Sequence, residues 1–93
     1  MRTIRYTNRF KRDYKRDKAG RHGKQLDRLL SEAVDQLASD QTLPRRYFDH
    51  PLSGEWDDCR DCHIRPDLVL IYRKPDNDNL DLIRLGSHSE LGF

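Results

Sequence analysis

Residues 59–63 read CRDCH: two thiols, a carboxylate, an imidazole and a guanidinium within five positions. As a bare pattern, C-x-x-C-H is the attachment signature of a c-type haem, and paired thiols also serve metal and redox centres. Which chemistry is open to them depends on the element that carries them. Residues 57–65 read as a strand, and a strand sends successive side chains to opposite faces. Cys59, Asp61, His63 and Arg65 then share one face, with Arg60, Cys62 and Ile64 on the other. The two thiols diverge and cannot clamp one metal or haem without breaking the strand. No helix follows to lower a thiol pKa, as a thioredoxin-like pair requires. A four-cysteine zinc site needs two more thiols than the two present, and the single Met, at position 1, is the only thioether for a haem axial ligand. Cys62 is expected to be a small buried core residue.

What remains on the other face is Asp61, His63 and Arg65, with Asp67 just across the RPD turn. The chain has four histidines. His22 lies between glycines in AGRHG and reads as a surface residue. His50 lies in FDHPL, leading into the strand, and His88 in LGSHSELGF, after the last one. If the strands pair in sequence, the C-terminal tail folds back over the sheet and His50, His63, Asp67 and His88 converge. Two chemistries fit such a set. Imidazole and carboxylate ligate zinc, and they also carry acid–base chemistry on a phosphodiester. Spacing alone leaves both open.

The elements that must position this set are legible in outline. RTIRYT (2–7) alternates as a short strand, and Thr7 or Asn8 can N-cap the helix that follows. Phe10 and Tyr14 lie on one side of that helix, and Arg9, Lys11, Arg12, Lys15, Arg16 and Lys18 cover the rest. AGRHG (19–23) breaks it. A second helix at about 24–39 carries one apolar stripe, Leu26, Leu29, Leu30, Ala33, Val34 and Leu37. A long connection, 39–56, contains two prolines and a glycine. Strands at about 57–65, 68–74 and 79–86 follow, separated by the turn segments RPD and KPDNDN. LVLIY (68–72) is apolar on both parities and reads as a central strand. The expected fold is α+β: a short first strand, a helical hairpin, then a three-stranded antiparallel meander, with the helices packed on one face of the sheet.

Ninety-three residues make a single domain spanning 1–93. No apolar run reaches the roughly 18–20 residues of a membrane span, and MRTIRYTNRF has no apolar h-region. With two cysteines and no export signal, a reducing cytoplasm is expected. The net charge of +2 conceals a strong asymmetry. Residues 1–28 hold eleven Lys/Arg against three Asp, and residues 29–93 hold seven against thirteen Asp/Glu. A basic first third suits a polyanionic partner such as RNA or DNA.

Taken together, LPRRYFDHPLSGEWDDCRDCHIRPDLVLIYRK (43–74) and LIRLGSHSEL (82–91) closely resemble the YafQ-like branch of the RelE superfamily of bacterial type II toxins. The carrying motifs are DHPLSGEW (49–56), RDCHIRPD (60–67), LIY (70–72) and GSHSEL (86–91). The resemblance implies an endoribonuclease that cuts mRNA in the ribosomal A site by metal-independent acid–base attack of the 2′-OH, without a cofactor. It implies a cognate antitoxin that forms a hetero-oligomer with it, and ribosome and mRNA as targets. His50, His63, Asp67 and His88 match residues implicated in cleavage, and Asp61 matches one that supports the site. Arg65 has the face for a phosphate contact, and the basic first helix would dock on ribosomal RNA. The family tail commonly places Phe directly after Leu, an aromatic that helps hold the RNA; here Gly92 intervenes, and Phe93, one position later, is the residue the resemblance implies for that substrate-binding role. Three rivals remain: a ParE-like, gyrase-directed toxin of the same superfamily, a metal-dependent hydrolase, and an inactive RNA-binding module.

Overall fold

The computed structural model describes residues 1–21 and 23–92; the sequence expectations for His22 and Phe93 lie outside the described residues. The chain runs β1 (Thr3–Tyr6), α1 (Asn8–Lys18), α2 (Gly23–Ala38), β2 (His50–Pro51), β3 (Arg60–Arg65), β4 (Leu68–Arg73), β5 (Asn79–Gly86) and α3 (His88–Leu91). The sheet order is β1-β5-β4-β3-β2. β1 lies parallel to β5, and the other pairs are antiparallel. The expected helical hairpin and meander are present. The sheet is wider than expected, because β1 joins it beside β5 and the short β2 forms within what reads as a loop.

The apolar pattern accounts for the layers. Thr7 Oγ1 caps α1 by accepting from Phe10 N at 3.0 Å. Phe10 and the stripe Leu26, Leu30, Ala33, Val34 and Leu37 pack with Leu68, Leu70, Tyr72, Leu80, Leu82 and Leu85 on one face of the sheet. On the other face a smaller cluster, Cys59, Val69, Ile71 and Leu91, is joined by half-buried Leu52, Trp56 and Ile83. That second layer explains why LVLIY is apolar on both parities. Cys62 sits in the first cluster and Cys59 in the second, so the two thiols do diverge. Burial pushes the Cys59 thiol up to about 11, and that of Cys62 further in the same direction. Neither is available as a thiolate near neutral pH.

One expectation fails on the backbone. β3 pairs His63 with Val69 and Arg65 with Leu68, so the ladder bulges at Ile64. The extra residue turns the strand end over. Arg65 leaves the histidine face and donates to Gln25 Oε1 on α2 at 3.3 Å. The simple alternation that grouped it with Asp61 and His63 does not hold past the bulge.

Candidate active site

Three elements bring the imidazoles together. β2 sets His50 opposite Asp61. β3 carries Asp61 and His63, and the first residue of α3 is His88. The His63 and His88 rings meet edge to face at a centroid distance of 5.1 Å. Phe48 stands against His63 at 5.6 Å and against His50 at 5.0 Å.

Beneath them lies Asp61, only 3% exposed. Its Oδ1 is 3.1 Å from His50 Nδ1, but that nitrogen points its proton at the Phe48 carbonyl, 2.8 Å away. A carbonyl only accepts, so in this contact Nδ1 carries the proton and Nε2 is the ring's acceptor. Asp61 Oδ1 is therefore a buried acceptor without a hydrogen bond among the described residues. Desolvation raises the Asp61 pKa, and the positive charge that His50, His63 and His88 can carry opposes the rise. Desolvation lowers the His63 pKa below its ordinary value, and the Asp61 charge resists. The result is a buried carboxylate under three imidazoles. It favours imidazolium when a proton arrives, while burial keeps His63 neutral near pH 7.

The supporting contacts explain why this geometry holds. The segment leading into β2 is pinned on alternate residues. Tyr47 is buried, and Asp49 accepts from Tyr72 Oη at 2.6 Å and from Arg60 Nε at 3.2 Å. His88 is placed by a capping box between Ser87 and Glu90, and Leu91 anchors the same turn in the second apolar cluster. Arg16 ties this turn to α1 by donating to Leu85 O at 2.9 Å and pairing with Glu90 at 3.2 Å. A Cβ on Gly86 would come within 2.7 Å of the Arg16 guanidinium, so glycine makes room for that tie.

Asp67 is on the flank. The Val69–Gly86 pair closes the β4–β5 ladder, and Asp67 and His88 each lie two residues beyond it. Asp67 pairs with Arg21 from the α1–α2 turn, and both line a cleft of about 320 Å³ with Ser87 and Glu90. Thus His50, His63 and His88 share one cluster over Asp61, Asp67 borders it, and Arg65 stands apart. Sequence reasoning missed Arg21 and Phe48. Arg21 sits in the Gly-flanked helix break, whose composition signals only a turn. Phe48 directly precedes the DHPL motif, but a lone aromatic in a loop has no period to reveal its exposure.

Arg16 and Lys18, both counted in the basic surface of α1, are engaged within the chain, Lys18 with Asp27 at 2.8 Å. Arg9, Arg12 and Lys15 are exposed and have no ion-pair partner among the described residues. Among the described residues no group of three or more His, Cys, Asp or Glu is arranged to hold a metal ion. None of the described helices is long and apolar enough to cross a membrane.

A RelE-like α+β sheet with an imidazole cluster over a buried acid defines a small bacterial toxin domain. The family model for the bacterial toxin of type II toxin–antitoxin systems, YafQ, matches residues 2–92, and the chain belongs to that family. It is 34% identical over 91 residues to the mRNA interferase toxin YafQ of Escherichia coli K12, covering 98% of this chain and 96% of that one. A YafQ homologue of Haemophilus influenzae is 46% identical over 61 residues, 62% of this chain and 60% of that protein. Among solved structures, a copper-bound mutant toxin from Helicobacter pylori superposes with a TM-score of 0.84 at 34% identity, covering 98% of this chain and 99% of that one. The E. coli DinJ–YafQ complex superposes at 0.79 and 31% identity, with 98% of both chains covered.

Proposed function

We propose that this type II toxin is an endoribonuclease that cuts mRNA in the ribosomal A site, using the RNA 2′-OH as nucleophile and imidazoles for the proton transfers. The observation that carries the reading is the meeting of His50, His63 and His88 over buried Asp61. RNA supplies its own attacking group, so the protein has only to remove one proton, stabilise the five-coordinate phosphorus and return one proton. Attack forms the O2′–P bond and breaks the P–O5′ bond. The products are a 2′,3′-cyclic phosphate, which water opens to a 3′-phosphate, and a 5′-OH.

His88 and Asp67 lie nearest the proton transfers in this scheme. His50 and His63 share acid–base and phosphate-positioning roles. Burial favours the neutral form of His63, which suits it to accept a proton. Asp61 steadies the imidazolium that forms. Arg21, held by Asp67, supplies a guanidinium beside the cleft that can turn to a phosphate. Arg9, Arg12 and Lys15, with Lys11, form the open part of the basic helix and would dock on ribosomal RNA. A cognate antitoxin would bind the toxin and silence it in the cytoplasm, as the DinJ–YafQ pairing suggests.

The test is cleavage of mRNA on programmed ribosomes with alanine placed singly at His50, His63, Asp67 and His88. Each well-placed acid or base is worth about 10²–10⁴-fold, so each loss should be crippling without being total. Cleavage should persist with 1,10-phenanthroline, which removes transition metals and leaves the Mg²⁺ that holds the ribosome together. Full activity in all four variants, or abolition by that chelator, would overturn the reading. Intact mRNA alongside inhibited gyrase would favour a ParE-like action.

A further inference from the structure

Among the described residues, Phe48 is the one large aromatic beside the imidazole cluster whose side chain faces solvent, with 65% of its surface exposed. Water is an unfavourable place for a phenyl ring, and the backbone here is also unfavourable. Phe48 has φ +48°, a left-handed conformation rare for a bulky residue and normally left to glycine or asparagine. The neighbours show that looseness is not the cause. Tyr47 is buried, Asp49 is fixed by Tyr72 and Arg60, and the Phe48 N–H donates to Arg45 O at 2.9 Å. Two anchored residues hold between them a ring that touches His50 and His63 and is otherwise open to solvent. The same conformation lets the Phe48 carbonyl take the Nδ1 proton of His50. One strained residue therefore sets the His50 tautomer and presents a ring nearly perpendicular to that of His63.

We propose that Phe48 is a substrate-binding residue: a platform on which a base of the RNA, next to the scissile phosphate, stacks. Bases splayed from single-stranded RNA are held by stacking on exposed aromatic faces. The ring lies within 5–6 Å of two imidazoles, so a base on it is one nucleotide's reach from the proton-transferring groups. Stacking strength grows with the area of the base, so this residue would favour a purine at that position. The proposal deepens the ribonuclease reading and rests on it.

The experiment compares wild type, Phe48→Leu and Phe48→Trp on programmed ribosomes, using mRNAs with a purine, a pyrimidine or an abasic nucleotide on either side of the cut. Stacking predicts that Phe48→Leu loses about 10–100-fold in kcat/KM, mostly through KM, and that Phe48→Trp retains activity. The decisive readout is coupling: removing the base should harm wild type strongly and Phe48→Leu little further. A ring that only packs against the histidines predicts no such coupling. Equal penalties for the abasic substrate in wild type and Phe48→Leu, or unchanged kinetics in Phe48→Leu, would overturn the proposal while leaving the nuclease intact. Absence of cleavage by wild type on every substrate would sink the nuclease reading itself, and this one with it.

Discussion

A carboxylate buried with one oxygen lacking a hydrogen bond costs stability, and among the described residues Asp61 is such a group. Its pKa is raised in the fold, so its contribution is most favourable below the ordinary carboxylate value and is lost as pH rises through the raised one. Near neutrality it is a liability, kept for the charge it presents to the histidines. Replacing Asp61 with Asn should leave the melting temperature at pH 7 unchanged or higher, while cleavage falls about 10–100-fold, below the loss typical of a direct acid or base. A thermal melt beside a single-turnover assay checks both. His63 gives a second, independent sign. Its lowered pKa places the acid limb of the pH–rate profile below the ordinary imidazole value of 6.5. The Asp61 charge is what holds that pKa up, so the limb should move further toward acid in Asp61→Asn. At this scale the sequence was informative about type and less so about environment. Imidazoles and acids could be named from their spacing, but burial of Asp61 and the Phe48–His50 hydrogen bond depend on which segments meet in three dimensions.

The elements decide how well those residues are aimed. His88 sits on a four-residue helix too short to hold itself, and Arg16 from α1 fastens that turn to the end of β5. Arg16→Ala should lower kcat by roughly ten- to a hundredfold, since a misplacement of about 1 Å costs on that order. Far-UV circular dichroism should stay native. A loss confined to ribosome affinity would instead make Arg16 a docking residue. The strands and helices themselves were legible, because α2 has a clean apolar stripe and β4 a continuous apolar run. Two departures have local causes. The bulge between His63 and Arg65 inserts a residue that no side-chain pattern announces, and it carries Arg65 to the helix face. β2 is two residues long and includes Pro51, so it has no alternation to detect.

Across the whole molecule, charge is divided between holding the fold and meeting a partner. Asp13 is buried against Arg84, with Arg84 Nε at 2.6 Å and Leu85 N at 3.1 Å, and so bolts α1 to β5. Removing one partner of such a pair strands the other, and Asp13→Ala should cost about 3 kcal/mol in urea unfolding. Arg9, Arg12 and Lys15 carry no such duty. Their joint replacement by Ala should leave stability within about 0.5 kcal/mol. It should also flatten the salt dependence of ribosome binding, by about one unit of slope for each phosphate no longer neutralised. The basic first third was plain in the sequence; which cations are spent internally was not, since Arg16 and Lys18 look the same as their neighbours until the helices pack. The central claim is that the RNA 2′-OH does the cutting under the imidazole cluster. Its most direct test is an mRNA with one 2′-deoxy nucleotide immediately 5′ of the scissile phosphate, presented on programmed ribosomes. Cleavage should vanish there, while the all-ribose control yields a 2′,3′-cyclic phosphate and a 5′-OH. Cleavage of the deoxy substrate to a 3′-OH and a 5′-phosphate would contradict it, because water would then be the nucleophile.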